Sequence, residues 1–152
     1  INTDVYGNFA LAGSIFLDSR NSSTFADVFS LLYGHHMENS QMFGDLDKYR
    51  SVDFLQQTNT GTLLVPGGRY ALRVFACIVV SASDDLIDQP LQWQADNVPA
   101  MLYRLQADAL CVDQAAMDDL RTAQNLKVLC MSTCSSDYTD ARTVVLAAMQ
   151  LE

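Results

Sequence analysis

Proline and glycine are scarce, three and seven residues in a chain of 152. That excludes collagen-like and Pro/Gly-rich low-complexity classes, and no internal repeat is present. Positive charge is equally thin: nine Lys and Arg stand against 18 Asp and Glu, for a formal net charge of −9. A protein that grips nucleic acid or an anionic bilayer needs clustered cations to neutralise phosphate, so nucleic acid is excluded as a partner. Long hydrophobic runs are missing too. The best candidates, residues 70–82 and 143–149, fall short of the roughly 18 apolar residues of a spanning helix, and the first carries Arg73. The chain opens Ile1-Asn2-Thr3-Asp4, without an initiator Met, a basic n-region or an apolar h-region.

Metal-binding spacings are also lacking. The four cysteines form no C-x-x-C, the two histidines are adjacent, and no H-x-x-x-H occurs, which speaks against zinc. Asp84, Asp85 and Asp88 are acidic neighbours without the Asp-x-Asp-x-Asp-Gly pattern of a calcium loop, so they are expected to be a solvated connection. No cofactor is implied.

What is present is a hydrophobic fraction of 49% with 18% charged residues, enough for one globular domain spanning residues 1–152. Strand-like runs occur at residues 9–17, 29–33, 60–65, 70–81, 127–132 and 142–149. Pro66-Gly67-Gly68 marks a hairpin with a slightly longer loop between two of them. Helical spacing appears over residues 42–55, 97–110 and 113–120, with Asn97 as a cap and Pro99 in the first turn. The chain is therefore predicted to be mainly β. Tyr6, Phe9, Phe16, Phe29 and Phe43 are expected in the core, and Trp93 and Tyr103 along a groove.

Three residues carry chemistry. His35 in Tyr33-Gly34-His35-His36-Met37 is a candidate base, Cys134 at the end of Val128-Leu129-Cys130-Met131-Ser132-Thr133-Cys134 a soft nucleophile, and Arg142, eight positions later, a fixed cation. Thiol acyl transfer needs those three parts: the sulfur attacks, the imidazole moves protons, and the guanidinium holds a carbonyl as charge develops on it. Histidine ahead of cysteine in the chain is the reverse of papain-like proteases. Neighbouring residues of an extended segment point to opposite faces, so His35 and His36 cannot both face Cys134. Thr133 is expected to pack or orient. The backbone N–H of Ser135 is a candidate oxyanion donor. The polar segment 135–140 is an exposed loop placed to gate substrate.

These segments resemble the sortases. Met131-Ser132-Thr133-Cys134 followed by Arg142 is similar to the family's cysteine strand and following arginine. Gly13-Ser14-Ile15-Phe16-Leu17-Asp18-Ser19-Arg20-Asn21, Leu32-Tyr33-Gly34-His35-His36-Met37 and Met42-Phe43-Gly44-Asp45-Leu46 resemble the class B branch. The resemblance runs from about Tyr6 to about Met149. It implies a closed sortase-type β-barrel with short helices and one longer helix in the loop before the cysteine strand. It further implies an N-terminal anchor, helices and a first strand lying outside this sequence, and a place on the outer face of a Gram-positive membrane, reached through that anchor alone. The implied activity is transpeptidation: Cys134 cleaves a sorting-signal peptide after threonine and passes it to an amine of cell-wall peptide or to a pilin lysine. His35 and Arg142 would be catalytic, with Thr133, Ser135 and His36 binding substrate or oxyanion. A cysteine hydrolase with water as acceptor, and a non-catalytic wall-surface binding module, stay open as alternatives. Cys134 must be free to act. A Cys77–Cys130 bridge stays open, and Cys111 has no obvious mate.

Overall fold

The computed structural model describes residues 2–152. Seven strands form one sheet: β1 (Phe16–Leu17), β2 (Phe29–Tyr33), β3 (Thr60–Val65), β4 (Gly68–Ser81), β5 (Cys111–Val112), β6 (Val128–Cys134) and β7 (Ala141–Leu151). Their hydrogen-bonded order is β1-β2-β6-β7-β4-β3, with β5 attached to β4. All neighbours are antiparallel except β2 and β6, which run parallel. The ladder ends at β1 and β3, which do not pair with each other among the described residues. The fold is mainly β with short helices, as expected, and the sheet curls into a half-barrel whose two edge strands stay unjoined, so the expected closure is corrected to a half-barrel.

Alternation along the strands sorts side chains to two faces. On one face Phe29, Leu31, Cys130, Val144 and Leu146 pack with Phe75, Ile78 and Val80 beneath three helices: α2 (Asp85–Asp88), α3 (Val98–Asp108) and α4 (Gln114–Thr122). On the other, Leu129, Val145, Ala147 and Met149 pack with Cys77, Cys111, Phe43, Leu46 and Leu55 beneath a 3-10 helix, Gly44–Arg50, and α1 (Val52–Gln57). Each fully buried Leu or Phe in such a core stabilises the fold by about 1.5–3 kcal/mol.

Most elements follow from local chemistry. Val65 pairs with Gly68, so Pro66-Gly67 is a two-residue turn, tighter than the expected loop, and Gly67 supplies the φ of +90° that other residues avoid. Asp113 caps α4 by accepting from the Ala116 N–H at 3.0 Å. Asn97 does not cap α3. Its side chain turns back, accepting from the Gln94 N–H at 2.7 Å and donating to the Gln92 carbonyl at 2.7 Å. Two helices of similar length, α3 and α4, precede the cysteine strand rather than one longer helix. The ammonium of Lys127 donates to the carbonyls of Phe25, Ala26 and Asp27 at 2.7–3.0 Å, fastening the start of β6 to the chain entering β2.

The strand expected over residues 9–17 shrinks to Phe16–Leu17, because Gly13 adopts a φ of +62° and breaks the extended run. Tyr6 and Phe9 are 86% and 76% exposed and Phe16 is partly exposed, so only Phe29 and Phe43 of the expected aromatic core are buried. Asp84 is neither free nor calcium-like: it caps α2 and pairs with Arg104.

Candidate functional site

Strand geometry assembles the site. Cys134 ends β6 and lies opposite Arg142 near the start of β7. The Ser135 N–H donates to the Ala141 carbonyl at 2.9 Å. That bond makes Cys134 and Arg142 a non-hydrogen-bonded antiparallel pair, the position where facing side chains come closest, with Cα atoms about 4.5 Å apart. It also commits the Ser135 N–H, so the expected oxyanion donor is occupied in this conformation.

His35 arrives from the neighbouring parallel strand. Tyr33 is in register with Ser132, and the Gly34 N–H donates to the Ser132 carbonyl at 3.2 Å. His35 follows two residues after the last pair of this ladder on β2, as Cys134 does on β6, so both leave the same end of the parallel pair. Its backbone is pinned: the Phe43 N–H donates to the His35 carbonyl at 3.0 Å, and His36 bridges to Met42. Between them Asn39, Ser40 and Met42 all adopt positive φ, strain of the kind that collects where a side chain must be aimed. The His35 Nε2 lies 3.0 Å from the Oδ1 of Asn2, a partner the sequence did not signal.

Charge distinguishes Arg142 from every other cation of the chain. Arg20, Lys48, Arg50, Arg69, Arg73, Arg104 and Arg121 each pair with a carboxylate, and Lys127 is taken up by three carbonyls. Among the described residues Arg142 forms no ion pair and donates only to the Ala141 carbonyl, at 3.0 Å. Cys134 is exposed. An accessible thiol beside an uncompensated guanidinium is suited to receive a carbonyl and stabilise the oxyanion formed on attack.

The remaining expected residues face elsewhere. Thr133 is buried on the opposite face from Cys134, its hydroxyl unpartnered. His36 also points to that opposite face, where its Nε2 meets the Asp47 carboxylate at 2.7 Å. Trp93 packs against the helix-covered core and Tyr103 is 79% exposed. A cavity of about 650 Å³ lies at the far end of β7 from Arg142, lined by Arg73, Asp119, Leu120, Lys127 and Met149, away from this chemistry.

The other cysteines are free and buried. Burial pushes the Cys77 thiol up to about 12 and raises Cys111 and Cys130 as well. The bridge left open between Cys77 and Cys130 is ruled out by their placement in different cores, on opposite faces of the sheet. The residue opposite Cys77 is instead Cys111, across the β4–β5 pair.

No family model matches the chain. It is 28% identical over 138 residues to sortase B of Listeria monocytogenes, covering 90% of this chain and 54% of that protein. The chain spans little more than half the length of the curated relatives it matches. Among solved structures, sortase B from the type II pilus of Streptococcus pneumoniae is 32% identical, with a TM-score of 0.75 over 91% of this chain and 76% of that one. A Streptococcus pyogenes class B sortase involved in pilus biogenesis is 29% identical, with a TM-score of 0.83 over 99% of this chain and 78% of that one.

Proposed function

The chain belongs to the class B sortases, and from that premise we propose that it is a cysteine transpeptidase acting through Cys134, His35 and Arg142 on a sorting-signal peptide. The observation that carries this reading is the exposed Cys134 directly opposite the one arginine without a carboxylate partner among the described residues.

The Cys134 thiolate attacks the backbone carbonyl carbon of the peptide's threonine. A C–S bond forms, and the carbonyl oxygen takes up negative charge that the Arg142 guanidinium stabilises. Collapse breaks the C–N bond; His35 gives its proton to the departing amine and the acyl group stays on sulfur as a thioester. An incoming amine then attacks the same carbon, loses its proton to His35, and forms the new amide as the C–S bond breaks. The acceptor is an amine of cell-wall peptide or a pilin lysine, and the setting is the outer face of the bacterial membrane. Thr133 and His36, facing away from Cys134, support the strand ends rather than touch substrate.

The test is mass spectrometry of the chain mixed with a panel of sorting-signal peptides and triglycine, beside Cys134→Ala. A ligated product that requires Cys134 is the expected result. Cleavage without ligation, unchanged by added amine, would assign a hydrolase. Absence of any adduct on Cys134 would overturn the enzymatic reading.

A further inference from the structure

The residues that follow His35, Cys134 and Arg142 all converge on one pair of side chains behind the sheet. His36 binds the Asp47 carboxylate at 2.7 Å. The Ser135 hydroxyl accepts from Arg50 Nη2 at 3.1 Å. The Thr143 hydroxyl donates to Asp47 Oδ1 at 2.9 Å and lies 3.4 Å from Arg50 Nη2. Asp47 and Arg50 are themselves paired, at 3.5 Å, one turn apart on the 3-10 helix Gly44–Arg50. Arg50 also grips Asp137 in the β6–β7 loop, and Asp137 accepts from the Ser135 hydroxyl.

Alternation explains why the three meet. If His35, Cys134 and Arg142 face one side of three adjacent strands, their successors must face the other. There the 3-10 helix packs, its Leu46 buried in the second core with Leu129, Val145 and Ala147. Backbone bonds fix His35 to Phe43 and Ser135 to Ala141, but β2 ends at Tyr33 and the segment 136–140 is exposed, so the side chains of Asp47 and Arg50 are what tie the three ends to one another.

We propose that Asp47 and Arg50 are positioning residues for the reaction at Cys134, a rear brace that sets base, nucleophile and arginine in mutual register by holding the residue after each. The proposal rests on the transpeptidase reading. Neither side chain touches substrate, because both lie on the opposite face. Their contribution is to geometry, and a displacement of about 1 Å at reacting groups costs up to about a hundredfold in rate. Arginine is required at position 50. A planar fork with several donors can hold Ser135, Asp137, Thr143 and Asp47 together, whereas a lysine ammonium has one nitrogen to place.

The experiment compares wild type with Arg50→Ala, Arg50→Lys, Asp47→Asn and Asp137→Asn. Thermal unfolding shows which variants are folded at the assay temperature. Thioester formation on Cys134, quenched and weighed by mass spectrometry across peptide concentrations, separates kcat from KM. The expected result for Arg50→Ala and Asp47→Asn is a kcat lowered about ten- to a hundredfold with KM within about twofold. Arg50→Lys should fail to restore it, and Asp137→Asn, which cuts one arm of the brace, should give a smaller loss. A residue that merely stabilised the fold would shift the unfolding temperature and leave kcat of the folded protein within twofold, and that outcome overturns the proposal. Should Arg50→Ala not fold, Asp47→Asn and Asp137→Asn decide between brace and mere stabiliser by the same kcat criterion. If wild type forms no thioester, the functional reading falls, and the brace is read from iodoacetamide alkylation of Cys134. That rate should still drop in Arg50→Ala and Asp47→Asn, and an unchanged rate would overturn the brace.

Discussion

Cys134 and Arg142 are cross-strand partners at a non-hydrogen-bonded position of the β6–β7 ladder, so the closest approach the sheet offers is given to a thiol and a guanidinium. The pairing holds Arg142 by backbone register rather than by an ion pair, which leaves its donors available to a developing oxyanion. Arg142→Lys keeps the charge and loses the planar fork; Arg142→Ala loses both. Loss of one oxyanion donor typically costs about 10²–10³ in rate, so acylation of Cys134 should fall by that order in Arg142→Ala, and by less in Arg142→Lys. Single-turnover thioester formation measures both. An Arg142→Ala protein acylated as fast as wild type would remove this residue from the mechanism.

Native alkylation should mark one thiol of the four. Cys134 is exposed, while Cys77, Cys111 and Cys130 are buried with their thiols raised by desolvation, Cys77 to about 12. The thiolate is the reactive form, so at pH 8 iodoacetamide should add once to the folded protein, at Cys134, and four times in guanidinium. Peptide mapping after alkylation gives the count. Modification of Cys111 as fast as Cys134 would contradict the burial of β5.

Much of this arrangement was legible in the order of residues, and what was not has identifiable physical causes. The apolar runs within Val128–Cys134 and Arg142–Met149 were enough to place strands, and alternation alone separated His35 from His36. The brace at Asp47 and Arg50 left no local signal. Two charged residues one turn apart on a short helix look like an ordinary surface pair until tertiary packing sets them behind three strand ends. Cys111 misled for the same reason, since its opposition to Cys77 is created by the chain returning after α3. Residues 9–17 misled in the other direction: they are apolar enough for a strand, but Gly13 turns the chain before it pairs.

Gly44 should tolerate no side chain. A Cβ at this position would drive into the backbone carbonyl oxygen of Met37, and backbone cannot rotate aside as a flexible side chain can. The strained turn of residues 37–43 that fixes His35 lies between the two. Gly44→Ala should therefore destabilise the fold by about 1–3 kcal/mol, the usual range for forced overpacking, and lower the acylation rate through His35. Urea unfolding and thioester kinetics test the two effects separately. A midpoint equal to wild type would show that the turn relaxes freely.

Asp18 should make the protein sensitive to acid below pH 4. Arg20 binds its carboxylate through two nitrogens at 2.8 Å, and the Tyr33 hydroxyl donates to it at 2.9 Å. Hydrogen bonding to Arg20, with smaller help from the Arg20 N–H and Tyr33, outweighs burial and holds the group down from 3.8 to about 2. A carboxyl lowered on folding stabilises the native state above its unfolded value, and that stability is lost as pH falls from about 4 through about 2. The shift corresponds to at most about 2 kcal/mol, reduced because Arg20 is partly exposed and solvent screens the pair. Asp18→Asn should lower the urea midpoint at pH 6 and flatten its dependence on pH between 4 and 2. Parallel pH profiles for wild type and Asp18→Asn would show that other carboxylates govern acid unfolding.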